Sequence, residues 1–549
     1  MAGAPASRSD RGWIAAACVA AIPAVAMPVG DPDLWWHLSA ARWMVRHRTF
    51  PRADWLSFTL PGAPWTDFEW ASQLILYATW LGAGLLGLWL LKIFLLSWSG
   101  ASLFGAMKDR GVSAPYRAAG LALWSASIIA RSDIRIELFS LALFLWLSRA
   151  SFREELRPAL AFPLFCVWAN VHGAFAYGLL FLGLYAAVEF AASFVGERRA
   201  RHRARARGLF LGLCAGTVAA CVNPYGWGIY GVLWRHLREV GDMSGIIIEW
   251  GPLRWNRPSH WGVWATIALT FLAAFSRRER DDLRSSAGQL MEFAPLLAVF
   301  GLLAWRHSRL SPYFCALAIP WAFQCLSRGG YLRATDLRGM PLAAFLIAGA
   351  AALAIWCGRS IGVLRRASHD VFFPIRAADF IARRPEIFSG NVYHPWGWGG
   401  YFGFFLPESF RVFEDGRYIF HPLILETARA VSSPAAWQAF FDRYRISTAV
   451  MENVPVVFSD SQGKYRPYYV AYMPPARWAL VYWDDRALVF VRRGSIPKEK
   501  LGELEYAWAR PSDDAAIAAD VAAGKVDQSA VGREFARHER ELAAAVGHP

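Results

Sequence analysis

Charge is scarce in this chain. Of its 549 residues only 18% are Asp, Glu, Lys or Arg, against 55% hydrophobic, and the mean hydropathy is +0.25. A soluble protein of this size carries about a quarter charged residues, so an ordinary soluble globule is excluded. Cysteine is missing from the last third: all seven (Cys18, Cys166, Cys214, Cys221, Cys315, Cys325 and Cys357) fall in or beside apolar blocks. That excludes a disulfide framework or a Cys metal site in the C-terminal part, and the cysteines read as small buried apolar residues. No P-loop, dinucleotide fingerprint, zinc helix motif or Ser-His-Asp hydrolase elbow is present. A net charge of +15 and a pI of 9.7 would suit nucleic acid. Yet the densest basic run, Arg198, Arg199, Arg201, Arg203, Arg205 and Arg207, sits between two apolar blocks without any nucleic-acid motif. Basic loops flanking spans are the usual orientation signal, so no nucleic-acid partner is expected.

What is present is a series of apolar runs. A helix needs about 17–25 apolar residues to span a bilayer, and about eleven segments read as spans, several of them short, with ends that can move by a turn. They lie near 13–29, 87–106, 116–131, 136–149, 158–171, 174–195, 208–222, 259–275, 288–305, 311–326 and 340–357. The block 69–82 follows a long polar loop and reads as a helix lying against or dipping into the membrane. Many of the 28 Trp stand at block edges, as in an interfacial aromatic belt. Arg and Lys gather in alternate loops: Arg8 and Arg11; Lys108, Arg110 and Arg117; Arg149, Arg153 and Arg157; Arg198–Arg207; Arg277–Arg284; Arg328–Arg338. Those loops are expected in the cytoplasm, with the N-terminus inside and the C-terminal part outside. Residues 1–29 also fit a cleaved signal peptide ending Ala24-Val25-Ala26; the many following spans make a retained first helix the simpler reading. The expected fold is thus a polytopic α-helical membrane protein with a C-terminal extracytoplasmic α/β domain. Residues 1–357 form the membrane domain, with long outer loops 30–68 and 223–258, and 358–549 form the outer domain with a helical tail. Long loops on one face make the outer face the working face. Within the outer domain, 377–383 and 435–443 read as amphipathic helices and 409–413 as a half-buried strand. Residues 479–482 and 487–492 read as a hairpin, and 512–545 as one or two surface helices.

Polar groups converge on the outer ends of the spans. The first loop opens Gly30-Asp31-Pro32-Asp33-Leu34-Trp35-Trp36-His37-Leu38. Pro32 ends the first helix and biases Asp31 toward an extended conformation, and Leu34, Trp35, Leu38, Ala41 and Val45 suggest an interfacial helix. Asp31 and Asp33 either cap that helix, bind a divalent metal (Mg or Mn), or act as a general base. Further candidates are Arg131, Asp133, Arg135 and Glu137; Asn170 and His172; and Arg306, His307 and Arg309. Ionisable groups near membrane depth are costly and mark sites, although each alone also fits snorkelling or pairing, such as an Arg135–Glu137 bridge. Lys92, inside the second span, is expected to snorkel. Glu249, after Ile246-Ile247-Ile248, is a site acid or the end of a strand, and Asn223-Pro224-Tyr225-Gly226-Trp227 is a turn. Trp396-Gly397-Trp398-Gly399-Gly400-Tyr401 combines rings suited to sugar or peptide with turn-forming glycines beside core Trp, and Asp415-Gly416-Arg417 follows.

A first span ending in an acidic motif, a long first loop, many spans and an outer C-terminal domain together resemble the GT-C superfamily of membrane glycosyltransferases. The DPDLWWHL stretch is similar to that superfamily's first-loop motif, including the Asp-Pro motif in the catalytic subunit of oligosaccharyltransferase. Asp133 and Glu137 lie in the loop that corresponds to its second acidic motif. WGWGGY is loosely similar to the acceptor-binding WWDYG but lacks its acid. The closer likeness, spanning nearly the whole chain, is to uncharacterised bacterial membrane proteins that share DPDLWWHL, RxELFSL (Arg135–Leu141), WANVHGAF, NPYGW, WGGY and DGR. The resemblance implies sugar transfer from a polyprenyl-phosphate-linked donor to a glycan, lipid or protein acceptor, on the outer face of a bacterial inner membrane. It implies Asp31 and Asp33 as catalytic acids or metal ligands, and Arg135, His172, Arg306 and Arg309 at the donor phosphate. His37, Glu137, Glu249, Trp398, Tyr401, Asp415 and Arg417 would then contact substrate. The alternatives are a transporter or flippase of lipid-linked saccharides, for which mid-span acids and inverted repeats are missing, or a non-catalytic envelope-polysaccharide assembly protein.

Overall fold

A computed structural model of the chain describes residues 8–194, 198–275, 283–328, 339–360, 372–459, 463 and 465–545. In chain order the first helices are α1 (Arg8–Val25), α2 (Asp33–His47), α3 (Trp70–Asp109), α4 (Ala114–Ile128), α5 (Glu137–Phe152), α6 (Pro158–Val171) and α7 (Phe175–Ala192). There follow α8 (Arg199–Ala219), α9 (Gly228–Met243), α10 (Trp261–Phe275), α11 (Leu283–Arg306), α12 (Ser311–Arg328) and α13 (Gly339–Ser360). The remainder is α14 (Ile375–Ala382), β1 (Asn391–Tyr393), α15 (Trp396–Phe405), α16 (His421–Ala430), α17 (Pro434–Arg443), β2 (Ile446–Glu452), β3 (Val457–Ser459), β4 (Tyr465–Pro467), α18 (Tyr469–Tyr472), β5 (Trp478–Trp483), β6 (Ala487–Arg492), α19 (Lys498–Leu504), α20 (Asp514–Ala522) and α21 (Gln528–Ala545).

The described residues within 1–31 and 66–368 form one compact unit, those within 32–65 and 369–549 a second. The first outer loop therefore belongs with the C-terminal part, not with the helices beside it in sequence. In the first unit α4 packs on α1, α10, α12 and α13, α8 on α6 and α7, and α3 on α5. Each expected span falls on one of these helices. Two, Trp70–Asp109 and Phe175–Ala192, are long and apolar enough to cross a bilayer, and shorter apolar helices cover Pro158–Val171, Phe293–Arg306 and Ile347–Trp356. Leu86, Leu90 and Phe94 are exposed one turn apart along α3. Such an apolar stripe suits lipid and not water. The block 69–82 is helical, as expected. It is set off from the rest of α3 by a break at Ala83 and Gly84, where Gly84 takes φ +55° without steric penalty. The arginine run reads differently from the expected loop: 199–207 are the first turns of α8.

In the second unit a four-stranded sheet has the order β1-β2-β6-β5, with β1 parallel to β2 and the rest antiparallel. Every residue of β5 is buried, so its alternation is hidden. The expected hairpin is present: the Asp484 carboxylate accepts the Arg486 and Ala487 amides at 2.7 and 2.8 Å and fixes the turn. The helices α14, α17, α20 and α21 also fall where expected. The expected strand at 409–413 shrinks to one bridge, Ser57 beside Val412, because Phe413 gives its amide to His394 Nε2 at 2.9 Å.

Two further expectations change. The apolar face of α2 was expected to lie in the membrane interface, but Trp35, Leu38 and Ala41 have no exposed surface. Trp35 packs against Phe373, Tyr401, Phe404 and Phe405, while Val45 points outward. The WGWGGY stretch is no turn; it is the start of α15, which lies against α2. Its glycines permit backbone contact: a Cβ at Gly399 would stand 1.8 Å from the Glu414 carbonyl oxygen, and one at Gly400 would stand 2.7 Å from the Trp36 nitrogen. Gly399→Ala should therefore destabilise this unit by about 1–3 kcal/mol or more, since backbone cannot give way as a side chain does. Gly403→Ala, whose Cβ meets the Leu56 side chain at 3.0 Å, should cost less. Denaturant unfolding of both variants measures the order.

Candidate active site

In the first unit, α4 ends in a 3-10 turn at Ile129–Arg131, closed by Ser132 bonding to the Ile129 carbonyl through both N–H and hydroxyl. Five residues then lead to α5, which opens on Glu137, a favourable place for an acid at a helix N-terminus. This short connection brings Arg131, Asp133, Arg135 and Glu137 together, and two other segments meet it. Gly30, at the end of the first helix segment, donates its amide to Asp133 Oδ2 at 2.9 Å, and Asp31, 2% exposed, is ion-paired with Arg135. Glu249, from the second outer loop, is paired with Arg131 and lies 2.7 Å from Arg135. Arg131 also holds Glu137. The expected Arg135–Glu137 bridge is thus replaced by Arg131–Glu137.

Electrostatics follow from this placement. Burial alone would raise Glu249, but Arg131, Arg135 and Arg309 hold it well below the ordinary carboxylate range. Asp133 goes the other way. Burial and the neighbouring Asp31 push it up to about 6, against the opposing pull of Lys92, the Gly30 amide and Arg135. Lys92 does not snorkel. It has no exposed surface and donates to the Met27 carbonyl, so its charge stays beside Asp133. Arg309 lies over the Trp250 ring at 5.0 Å, and Glu137 and Glu249 keep its guanidinium charged despite burial.

His172 sits at the end of α6. Trp168 donates to Ser140 Oγ at 2.7 Å, and that hydroxyl in turn meets His172 Nδ1 at 2.8 Å. His172 Nε2 lies 3.7 Å from the Glu69 carboxylate. Burial pushes His172 down to about 4, so the ring is neutral there. Arg306 is apart from this group: it is exposed at the end of α11.

The other expected site residues lie in the second unit. Asp33 is the first residue of α2, accepts Trp36 Nε1 at 3.0 Å and lies against Gly416. His37 packs against Trp36, the rings tilted by 39° with centroids 3.6 Å apart. Trp398 and Tyr401 are buried; Trp398 donates to the Phe372 carbonyl and Tyr401 stacks on Phe373 at 5.2 Å. Their faces are taken by the protein, so no ring platform is left to a sugar there. Asp415 and Arg417 are sealed in the interior: Arg417 lies 2.7 Å from Asp54 and 2.8 Å from Asp415, all three almost without exposed surface. Lys92 and Asp54 are the charged residues that sequence reasoning left out of any site; each needs a partner far away in the chain to be recognised.

A divalent metal does not fit the carboxylates present. Asp31 faces a guanidinium, Asp133 faces an amide and Lys92, and Asp33 is held by an indole. Among the described residues no three His, Cys, Asp or Glu are gathered as ligands.

No protein-family model matches the chain, and no curated protein matches it. In structure it is similar to the archaeal oligosaccharyltransferase AglB from Archaeoglobus fulgidus, solved in complex with an inhibitory peptide and a dolichol-phosphate (TM-score 0.49, 11% identity, 90% of this chain and 76% of that one). It is also similar to ArnT from Cupriavidus metallidurans, bound to undecaprenyl phosphate (TM-score 0.48, 14% identity, 89% and 99%) and in the apo state (TM-score 0.42, 14% identity, 87% and 97%).

Proposed function

We propose that this chain is a GT-C-type membrane glycosyltransferase that moves a sugar from a polyprenyl-phosphate-linked donor to an acceptor at the outer face of the cytoplasmic membrane. The observation that carries the reading is the group of Arg131, Arg135 and Arg309, the first buried and the others half-buried, beside two neighbouring aspartates at the ends of apolar helices. Guanidinium groups bind phosphate oxygens in pairs. Glu249 now bridges two of them and is partly exposed, so it is the group that a donor phosphate replaces. The chemistry is a single displacement with inversion. The acceptor hydroxyl oxygen bonds to the anomeric carbon, the bond from that carbon to the phosphate oxygen breaks, and its electron pair leaves with the polyprenyl phosphate. The hydroxyl proton passes to the Asp31–Asp133 pair. Asp133, titrating near 6, is ionised at neutral pH and still basic enough to take it. Arg131, Arg135 and Arg309 offset the charge growing on the leaving phosphate, an effect strengthened where water is excluded. His172, a neutral ring, orients an oxygen.

Transfer of labelled sugar from a polyprenyl-phosphate donor, measured with the full chain in membranes, tests the reading. Arg135→Gln should raise the KM for donor at least roughly tenfold, as for loss of one charge-assisted pair, with the chain still folded. No transfer to any glycan, lipid or protein acceptor, together with unchanged donor binding in the variant, would overturn it. The eleven-span arrangement, N-terminus inside, belongs to the same proposal. With an impermeant reagent, a cysteine at Ser432 should react in intact cells, and one at Arg203 only after the cells are opened. Labelling of both in intact cells sinks the arrangement.

A further inference from the structure

The second outer loop joins α8 to α10, two of the expected spans, and its middle is the helix α9. This helix has two apolar sides. Ile229, Val232 and Met243 are buried. On the other side Trp227, Trp234 and Leu237 follow one another at steps of seven and three, so they share a stripe, and all are more than half exposed. Ile248 and Trp255, further along the loop, are equally open. A lone exposed apolar residue needs no explanation, but five large ones between 227 and 255 mark a surface with something to cover it. Exposed charge is interleaved with them and mostly positive: Arg238, lying over the Trp234 ring at 4.9 Å, and Arg254, against Asp242. Arg306, also exposed, adjoins the loop where the Leu253 amide bonds to the Trp305 carbonyl at 2.9 Å. The apolar surface does not stop at the loop. Val218 and Val222, at and just beyond the end of α8, and Trp261 at the start of α10 are exposed too, so it runs on into the helices at both ends.

We infer that this segment is seated in the headgroup layer of the membrane and that its partner is anionic phospholipid. The continuity decides the cover: lipid that surrounds α8 and α10 meets the same apolar surface where the loop begins and ends. Indole rings and a helix with an outward apolar side settle at the depth where acyl chains meet headgroups. Arg238, Arg254 and Arg306 then meet lipid phosphates, and an anionic surface attracts each of them. A second copy of the chain would bring the same surplus of arginine against itself. Glu249 follows Ile248 directly, so the seated loop also holds the acid that bridges Arg131 and Arg135. The inference rests on the chain crossing a membrane, not on sugar transfer.

The full chain in nanodiscs of phosphatidylcholine and phosphatidylglycerol in equal amounts tests it, with a benzophenone amino acid in place of Leu237. On irradiation the probe should join to phospholipid, and to phosphatidylglycerol roughly fivefold more than to phosphatidylcholine, the preference expected of one arginine near an anionic surface. In the variant with Arg238→Gln, Arg254→Gln and Arg306→Gln that preference should fall to about one, and high salt should lower it in the parent chain. All three positions are exposed, so the unfolding midpoint should stay where it is. Arg135→Gln should leave the adducts unaltered, which keeps the result separate from donor binding. Adducts that join two copies, or no lipid adduct at all, would overturn the proposal. Equal yields of the two lipids in the parent chain, or a preference that survives in the triple variant, would overturn it as well.

Discussion

Asp133→Asn should lower sugar transfer by about 10²–10⁴-fold, the usual contribution of a positioned acid–base group. The substitution keeps the size of the side chain and its ability to accept the Gly30 amide, so the turn between α4 and α5 should persist. What it removes is a carboxylate raised to about 6 by burial and by Asp31. In the parent chain the rate should rise with pH through about 6 and level off above it, because the base works only when ionised. In the variant that rise should vanish. Asp31→Asn should act in two ways. It relieves the repulsion that helps lift Asp133, and it takes a partner from Arg135, which keeps Glu249. Its pH midpoint should therefore move down while the rate falls. Full activity in the Asp31→Asn/Asp133→Asn double variant would leave the acids as purely structural groups.

Arg417→Met should be the most damaging single change in the second unit, lowering its stability by about 3–5 kcal/mol. Removal of the guanidinium strands Asp54 and Asp415, which together have almost no exposed surface and both pair with it. Against a total of about 5–15 kcal/mol for a domain, that is a large share. The pH dependence gives the cause. Burial already raises Asp415 above the ordinary carboxylate value despite Arg417. Without the cation Asp415 should rise further, and a carboxyl raised in the folded state costs stability as pH climbs through its folded pKa. The deficit should shrink as pH falls from 7 toward about 4, the unfolded value. Unfolding followed by fluorescence of the buried tryptophans measures it. A deficit that stays constant with pH would assign the loss to packing around Trp55 and Trp65 instead.

The helices were legible because apolar runs and basic loops both report on them, and each run became a helix. The charged group at the span ends was legible as a set of residues but not as pairs. Arg131, Asp133, Arg135 and Glu137 alternate in sequence, and only the arrival of Asp31 and Glu249 from elsewhere decides who faces whom. The misreadings share one origin. Val412 and Phe413 alternate like a strand but spend their amides on Leu56 and His394; Trp398 and Tyr401 look like a ligand platform but are core. A buried ring and a binding ring carry the same letter. Glycine in WGWGGY reads as turn chemistry, whereas here it allows α2 to approach, a demand that comes from a segment far upstream.

The assignment of residues 32–65 to the second unit has a consequence for synthesis. This stretch leaves the ribosome about 300 residues before its partners in 369–549. At 5–20 residues per second, that is a wait of roughly 15–60 s. During that time Trp35, Leu38 and Ala41, which end with no exposed surface, have nothing of their own unit to cover them. The newborn loop therefore presents a greasy face to the secretory machinery or to the lipid headgroups. Truncation before α15 should turn that transient state into a lasting one, giving a product that chaperones and membrane proteases hold or degrade.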